Sequence, residues 1–111
     1  MISVVIPLYN KTSTIRRCLT SVFCQTIIPD ELIIINDGSQ DDSLEVVKDS
    51  VVFNSGIDIK IVDQKNAGVS YTRNKGVSLA RNKYVAFLDA DDEWHQEFIE
   101  SVQKVISKQQ N

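Results

Sequence analysis

Val85-Ala86-Phe87-Leu88-Asp89-Ala90-Asp91-Asp92 is a short apolar run that ends abruptly in three carboxylates. Apolar residues followed at once by clustered like charges fit the C-terminal end of a core strand, where the chain leaves the sheet and its side chains converge on something positive. Three anions this close repel one another, so a fold that keeps them together supplies a cation, a helix N-terminus or open water.

Working outward from that strand, Tyr84 to Leu88, the rest of the chain alternates strand and helix. Ser3 to Leu8 is a β-branched run with Pro7 at its end, where a missing ladder donor is tolerated. Thr12 or Ser13 is placed to cap a helix whose Ile15, Leu19, Val22 and Phe23 share one apolar face, and Pro29-Asp30 ends it. Glu31 to Asn36 is apolar on both faces, as a strand covered on both sides requires. A second helix follows Asp41-Asp42-Ser43, with Leu44, Val47 and Val51 buried and Asn54-Ser55-Gly56 closing it. Ile57 to Val62 is a third strand, about Val69 to Ala80 a third helix, and Phe98, Val102, Val105 and Ile106 mark the buried side of a fourth.

Short right-handed crossovers between such elements give an α/β fold. We expect a doubly wound, mostly parallel, Rossmann-like sheet in an α/β/α sandwich, with residues 1–111 forming a single domain. Every strand's C-terminal end then falls on one edge. That edge collects the loops after Leu8, Asn36, Val62 and Leu88, where open α/β sheets bind ligands.

Composition narrows the class. With 42% hydrophobic and 24% charged residues the chain reads as an ordinary globular domain. A net charge of −3 and scattered basic residues give no reason to expect nucleic acid or an anionic membrane as partner. Cys18 and Cys24 are spaced to point to different helix faces and match no zinc motif, so both are expected as reduced thiols in a cytoplasmic protein. The apolar N-terminus lacks a basic leader and is too short to span a bilayer, so it reads as a strand.

The loop residues carry the chemistry, each with a plainer reading beside it. Asp89, Asp91 and Asp92 suit a hard divalent ion such as Mg2+ or Mn2+ holding a diphosphate; equally, Asp91, Asp92 and Glu93 suit the N-terminal dipole of the last helix. Asp37 in Asp37-Gly38-Ser39 could accept a base N–H or form an Asx turn. Lys65-Asn66-Ala67-Gly68 puts a cation and a glycine before a helix N-terminus, with Arg73 one turn in. Tyr9 offers a ring to a base, or packs. Trp94 reads as packing and the single His95 as a surface residue at the helix start. No Ser/His/Asp set, Walker loop or dinucleotide fingerprint is present. A receiver domain would need its acidic pair after strand one, which ends Pro7-Leu8-Tyr9-Asn10.

As an ordered set these motifs resemble the N-terminal nucleotide-binding half of family-two glycosyltransferases, which have the GT-A fold. The matching residues are Val4-Val5-Ile6-Pro7-Leu8-Tyr9-Asn10, Ser21-Val22-Phe23-Cys24-Gln25-Thr26 and Glu31-Leu32-Ile33-Ile34-Ile35-Asn36-Asp37-Gly38-Ser39-Gln40-Asp41. Asn66-Ala67-Gly68, Arg73-Asn74-Lys75-Gly76, Ala80 and Phe87-Leu88-Asp89-Ala90-Asp91-Asp92 complete them.

The resemblance implies that Pro7 and Tyr9 line a base pocket with Asn10, that Asp37 pairs with the base, and that Lys65 and Asn66 flank the nucleoside. It implies that Asp89 and Ala90 face the ribose and that Asp91 binds Mn2+ or Mg2+. Arg73 is expected to support the site rather than touch the sugar. Asn36 departs from a pattern that often has Asp there.

The implied reaction is metal-assisted, inverting transfer of a sugar from a nucleotide donor, a UDP-sugar, to a glycan or lipid-linked acceptor of the cell envelope at the cytoplasmic membrane face. The family's acceptor half and catalytic base are expected beyond these residues, so the base is unassigned and the chain is read as the donor-binding half. The alternative is a non-catalytic nucleotide-sugar-binding or assembly module. An uncovered sheet edge would favour self-association.

Overall fold

The structure, a computed structural model, describes residues 1–52 and 56–109. The expected helix stop at Asn54-Ser55 and the tail residues Gln110 and Asn111 lie outside them. Eight elements alternate: β1 (Ile2–Leu8), α1 (Ile15–Phe23), β2 (Glu31–Asp37), α2 (Ser43–Val51), β3 (Asp58–Gln64), α3 (Val69–Leu79), β4 (Tyr84–Phe87) and α4 (Phe98–Gln109). The boundaries differ from expectation by a residue or two, most at β3, which runs on to Gln64 because Asp63 and Gln64 continue the ladder opposite Asn36 and Asp37.

The strands form one parallel sheet in the order β3-β2-β1-β4. The chain winds outward from β1 through β2 to β3, then α3 carries it back across to the other side of β1. That reversal is a topological switch point, and it opens a crevice outside the C-terminal ends of β1 and β4.

Layering is uneven. Ile2, Val4, Ile6 and Leu8 of β1 and Leu32 and Ile34 of β2 point into the main core, which Ile15, Cys18, Leu19 and Val22 of α1, Val47 of α2 and Ile99 of α4 complete. The apolar cluster of the opposite face is smaller, gathering Val5, Ile33 and Ile35 among the described residues, with α3 above them. The sandwich is therefore α/β/α as expected, with three helices on one side and one on the other. Val105 is a correction: it is exposed, because α4 packs through Phe98, Val102 and Ile106 together with Ile99, and Val105 falls at the rim of that stripe. Among the described residues no helix is long and apolar enough to cross a membrane.

α3 lies close on the sheet because of Gly76. A Cβ there would stand 2.3 Å from Val5 Cγ1, well inside contact distance. Gly76→Ala gains about 1 kcal/mol of helix propensity. Overpacking against a strand buried on both faces costs about 1–3 kcal/mol. We expect net destabilisation in urea unfolding, with Val5→Ala in the same chain restoring part of it; additive effects of the two changes would refute the contact.

At the sheet's other end, away from the crevice, Glu31 begins β2 fully buried. Ser3 Oγ donates to its Oε1 at 2.7 Å, the Arg81 N–H donates to the same oxygen at 3.0 Å, and the Lys60 ammonium pairs with Oε2. Burial acts to raise this carboxyl, but the Lys60, Arg81 and Ser3 hydrogen bonds outweigh it and hold the group at about 2. A folded-state value below the ordinary 4.5 means the stabilisation is complete above about pH 4.5 and is lost as pH falls toward 2. Glu31→Gln should cost about 2 kcal/mol at neutral pH and flatten the melting temperature across that acid window. An unchanged acid dependence would assign it to other carboxylates.

Candidate functional site

The crevice at the switch point holds a cavity of about 390 Å³, a size suited to a small-molecule ligand. β1 contributes Pro7 and Leu8, and its following loop contributes Tyr9 and Lys11. Asp37 closes it from the end of β2, Asn66 and Gly68 from the loop before α3, and Val69, Thr72 and Arg73 from α3 itself. Asp89, Ala90 and Asp91 form its remaining wall.

Of the nucleotide-site residues expected from sequence, Pro7, Tyr9, Asp37, Asn66, Asp89, Ala90 and Asp91 meet here. Asn10 and Lys65 do not. Asn10 takes a left-handed conformation (φ 51°), and its side chain is spent on a brace. Its Oδ1 accepts the Gln40 N–H at 2.8 Å, while its own N–H donates to Ser39 Oγ at 3.0 Å. Lys65 is exposed and does not line the cavity. Lys11 and Thr72 line the cavity without having been singled out, since nothing distinguishes them in sequence from solvated loop and helix residues.

Asp37 is buried, and its carboxylate is the knot between β2 and the loop leading to α3. Oδ1 accepts from Ala67 N–H at 2.7 Å and from Gln64 Nε2 at 2.9 Å; Oδ2 accepts from Gly68 N–H at 3.1 Å and, more weakly, from Asn66 Nδ2 at 3.4 Å. The Asx-turn reading fails, because the partners come from another loop. Gly38 is required by the same junction. It sits at φ +71°, and a Cβ would approach Asn66 N to 2.7 Å.

Asn36 also has its reason. It lies in register with Asp63 on β3 and donates Nδ2 to Asp63 Oδ1 at 3.0 Å. An Asp at this position would set two like charges side by side across the ladder.

The acidic stretch is not a helix cap. α4 begins at Phe98, beyond Asp91, Asp92 and Glu93, so those side chains are too far along the chain to serve its N-terminus. A turn in which Asp92 N–H donates to Asp89 O at 3.0 Å instead folds the segment back on itself. Carboxylate oxygens of Asp89, Asp91 and Asp92 lie within 4.8 Å of one another, all exposed. Among the described residues the cation paired with a carboxylate of this trio is Arg73, whose guanidinium donates to Asp89 Oδ1 at 3.1 Å, leaving its own buried Nε without a partner, while Arg17 Nη2 reaches the Asp91 backbone carbonyl at 3.5 Å.

Three clustered hard oxygens with one offsetting cation fit a divalent ion of the Mg2+ or Mn2+ kind. Beneath them, burial and then the charges of Asp92, Asp91 and Asp89 push the Cys18 thiol up to about 12, against a weaker pull from Arg17, so it stays a neutral thiol. Both cysteines are free, Cys18 buried and Cys24 exposed. Trp94 packs as expected, its ring stacked on Phe98 at 4.3 Å between centroids, and His95 is exposed.

Comparison with known proteins fits this geometry. A family model described as Glycosyl transferase family 2 matches residues 3–111. Glycosyltransferase GlyA of Streptococcus pneumoniae serotype 4 is 38% identical over an alignment of 111 residues that covers 98% of this chain and 15% of that protein. The uncharacterized glycosyltransferase YibD of Escherichia coli K12 is 44% identical over 101 residues, covering 91% of this chain and 29% of the other. The structure of S. aureus TarS 1–349 in complex with UDP-GlcNAc matches with a TM-score of 0.86 and 26% identity, over 96% of this chain and 31% of that one. The chain thus spans less than a third of each of these proteins. With the family matched over nearly its whole length, it belongs to glycosyl transferase family 2.

Proposed function

We propose that the crevice binds the nucleotide of a sugar donor, UDP by preference, and that these residues form the donor half of an enzyme transferring that sugar to an acceptor hydroxyl with inversion. The observation that carries the reading is the meeting of Asp89, Asp91, Arg73 and Tyr9 around one cavity at the switch point, with Asp92 clustered beside the two carboxylates. The TarS complex with UDP-GlcNAc, similar over nearly all of this chain, supports the choice of nucleotide.

In this reading Pro7 and Tyr9 hold the base, and Asn66 and Ala90 flank the nucleoside. Asp89, fixed by Arg73, faces the ribose, and Asp91 with Asp92 beside it holds a divalent cation. That ion, when bound, would neutralise the departing diphosphate. Asp37 acts mainly by holding the Asn66–Gly68 loop in place, since four protein donors already fill its oxygens; a base N–H reaches it only where the long Asn66 bond gives way. The acceptor is a glycan or lipid-linked hydroxyl presented at the cytoplasmic membrane face.

A specific observation keeps a second reading, a nucleotide-sugar-binding module without turnover. Asp92 sits inside the carboxylate cluster and Glu93 is paired with Arg17 at 3.7 Å, so neither is placed as a base. Among the described residues β4 also has β1 as its single neighbour, with Phe87 exposed beside it. We propose that this edge pairs between copies of the 111-residue chain.

Calorimetric titration of UDP should show binding strengthened by Mn2+, and Asp91→Ala should weaken the Mn2+-dependent part by about tenfold or more. Equal binding with and without Mn2+ would remove the metal from the site. Release of free sugar from a UDP-sugar by this chain would exclude the second reading, and tight binding with no release would favour it. Sedimentation should reveal concentration-dependent association; a monomer at every concentration would exclude edge pairing.

A further inference from the structure

Ten residues separate β4 from α4, and they form neither strand nor helix. A segment of this kind ordinarily wanders, yet this one carries the carboxylates. It is held at both ends by side chains from α1 and the residues flanking it. Near the start, Thr14 Oγ1 donates to Ala90 O at 3.0 Å and Cys18 Sγ reaches Asp89 O at 3.5 Å. Further along, Ser21 Oγ accepts the Trp94 N–H at 3.1 Å.

Just past the end of α1, Gln25 makes the firmest attachment. Its Nε2 donates to His95 O at 2.7 Å and to Ser21 O at 3.0 Å, while its Oε1 accepts the Ile99 N–H at 2.9 Å. Gln25 is buried and Ile99 wholly so. It thus satisfies the first free N–H of α4, the task the acidic residues do not perform. The site described above makes no other use of the Ser21-to-Thr26 run.

From this geometry we propose that Ser21 and Gln25 are positioning residues for the metal carboxylates. α1 is a splint, and these two side chains are the latches that fix the far end of the Asp89–Gln96 segment so that Asp89, Asp91 and Asp92 stay gathered in one turn. A glutamine is suited to the second latch because one planar amide donates to a carbonyl and accepts from an N–H at once. A buried Met of similar length would leave the Ile99 N–H unpaired and His95 O with the Phe98 N–H alone. The proposal rests on the divalent-ion reading of the preceding subsection and adds what sets the ion's ligands in place.

The test uses the whole chain with UDP, reading Mn2+ affinity from the free-ion resonance signal. Backbone amide exchange and the quenching of Trp94, the chain's single tryptophan, are measured in parallel. Ser21→Ala and Gln25→Met should each lower Mn2+ affinity by about 10- to 100-fold, speed exchange at Trp94 and Ile99, and expose Trp94 to quencher. Ser21→Thr, which keeps the hydroxyl, should restore all three.

Glu31→Gln, a buried change at the opposite end of the sheet, should lower the melting temperature and leave Mn2+ affinity where it was. Ser21→Ala carries the test alone if Gln25→Met does not fold. Wild-type Mn2+ affinity in the variants, or faster exchange spread over the whole sheet, overturns the positioning role. Failure of the unaltered chain to bind Mn2+ overturns the metal reading itself, and the role with it.

Discussion

The constraint on which this molecule turns is the reversal of winding direction at β1. Because β2 and β4 flank β1 on opposite sides, the loops leaving these neighbouring strands diverge and leave a crevice that no side chain fills. A sheet wound in one direction throughout would have laid each loop against the next. The reversal depends on α3 crossing on the sparsely covered face, and that crossing depends on a missing Cβ at Gly76. Site and fold are therefore one packing problem, solved at β1.

β2 illustrates how the same residue class serves opposite ends of one strand. Glu31 and Asp37 are both buried carboxylates. Glu31 is met by cations, Lys60 and Arg81, and works as a charge clamp tying β1, β2, β3 and the approach to β4. Asp37 is met only by neutral N–H donors of backbone and amide groups, so it fixes the geometry of a loop without adding a counter-charge next to the cavity. That leaves Arg73 as the positive group paired with a side-chain carboxylate of the trio among the described residues.

The sequence made the architecture legible because period and punctuation agreed: apolar strands, amphipathic helices, and Gly, Asp or Asn at the turns. The carboxylate cluster was visible for the same reason, being the abrupt end of an apolar run. What stayed hidden was anything requiring knowledge of which loop faces which. Asn10 and Lys65 sit beside site residues in sequence but do not line the cavity, Asn10 being spent on a brace and Lys65 exposed. Lys11 reaches the cavity with no local signal to mark it. The helix-cap reading of Asp91 and Asp92 turned on where α4 begins, and that start is set by Gln25, contributed from a distant part of the chain. Val105 belonged to the apolar pattern and still fell outside the packed stripe.

The order of the strands has a kinetic consequence as well. β1, α1 and β2 assemble from contacts near in sequence, whereas β4 pairs with β1 by joining Tyr84 to Ile2 across nearly the whole chain. Closing that loop carries the largest entropic cost of any strand pairing here, so it belongs late in folding. The carboxylates hang from this last strand. Until β4 docks, the three anions are free to spread apart in water, so the gathering of the carboxylates waits on the pairing of greatest sequence separation.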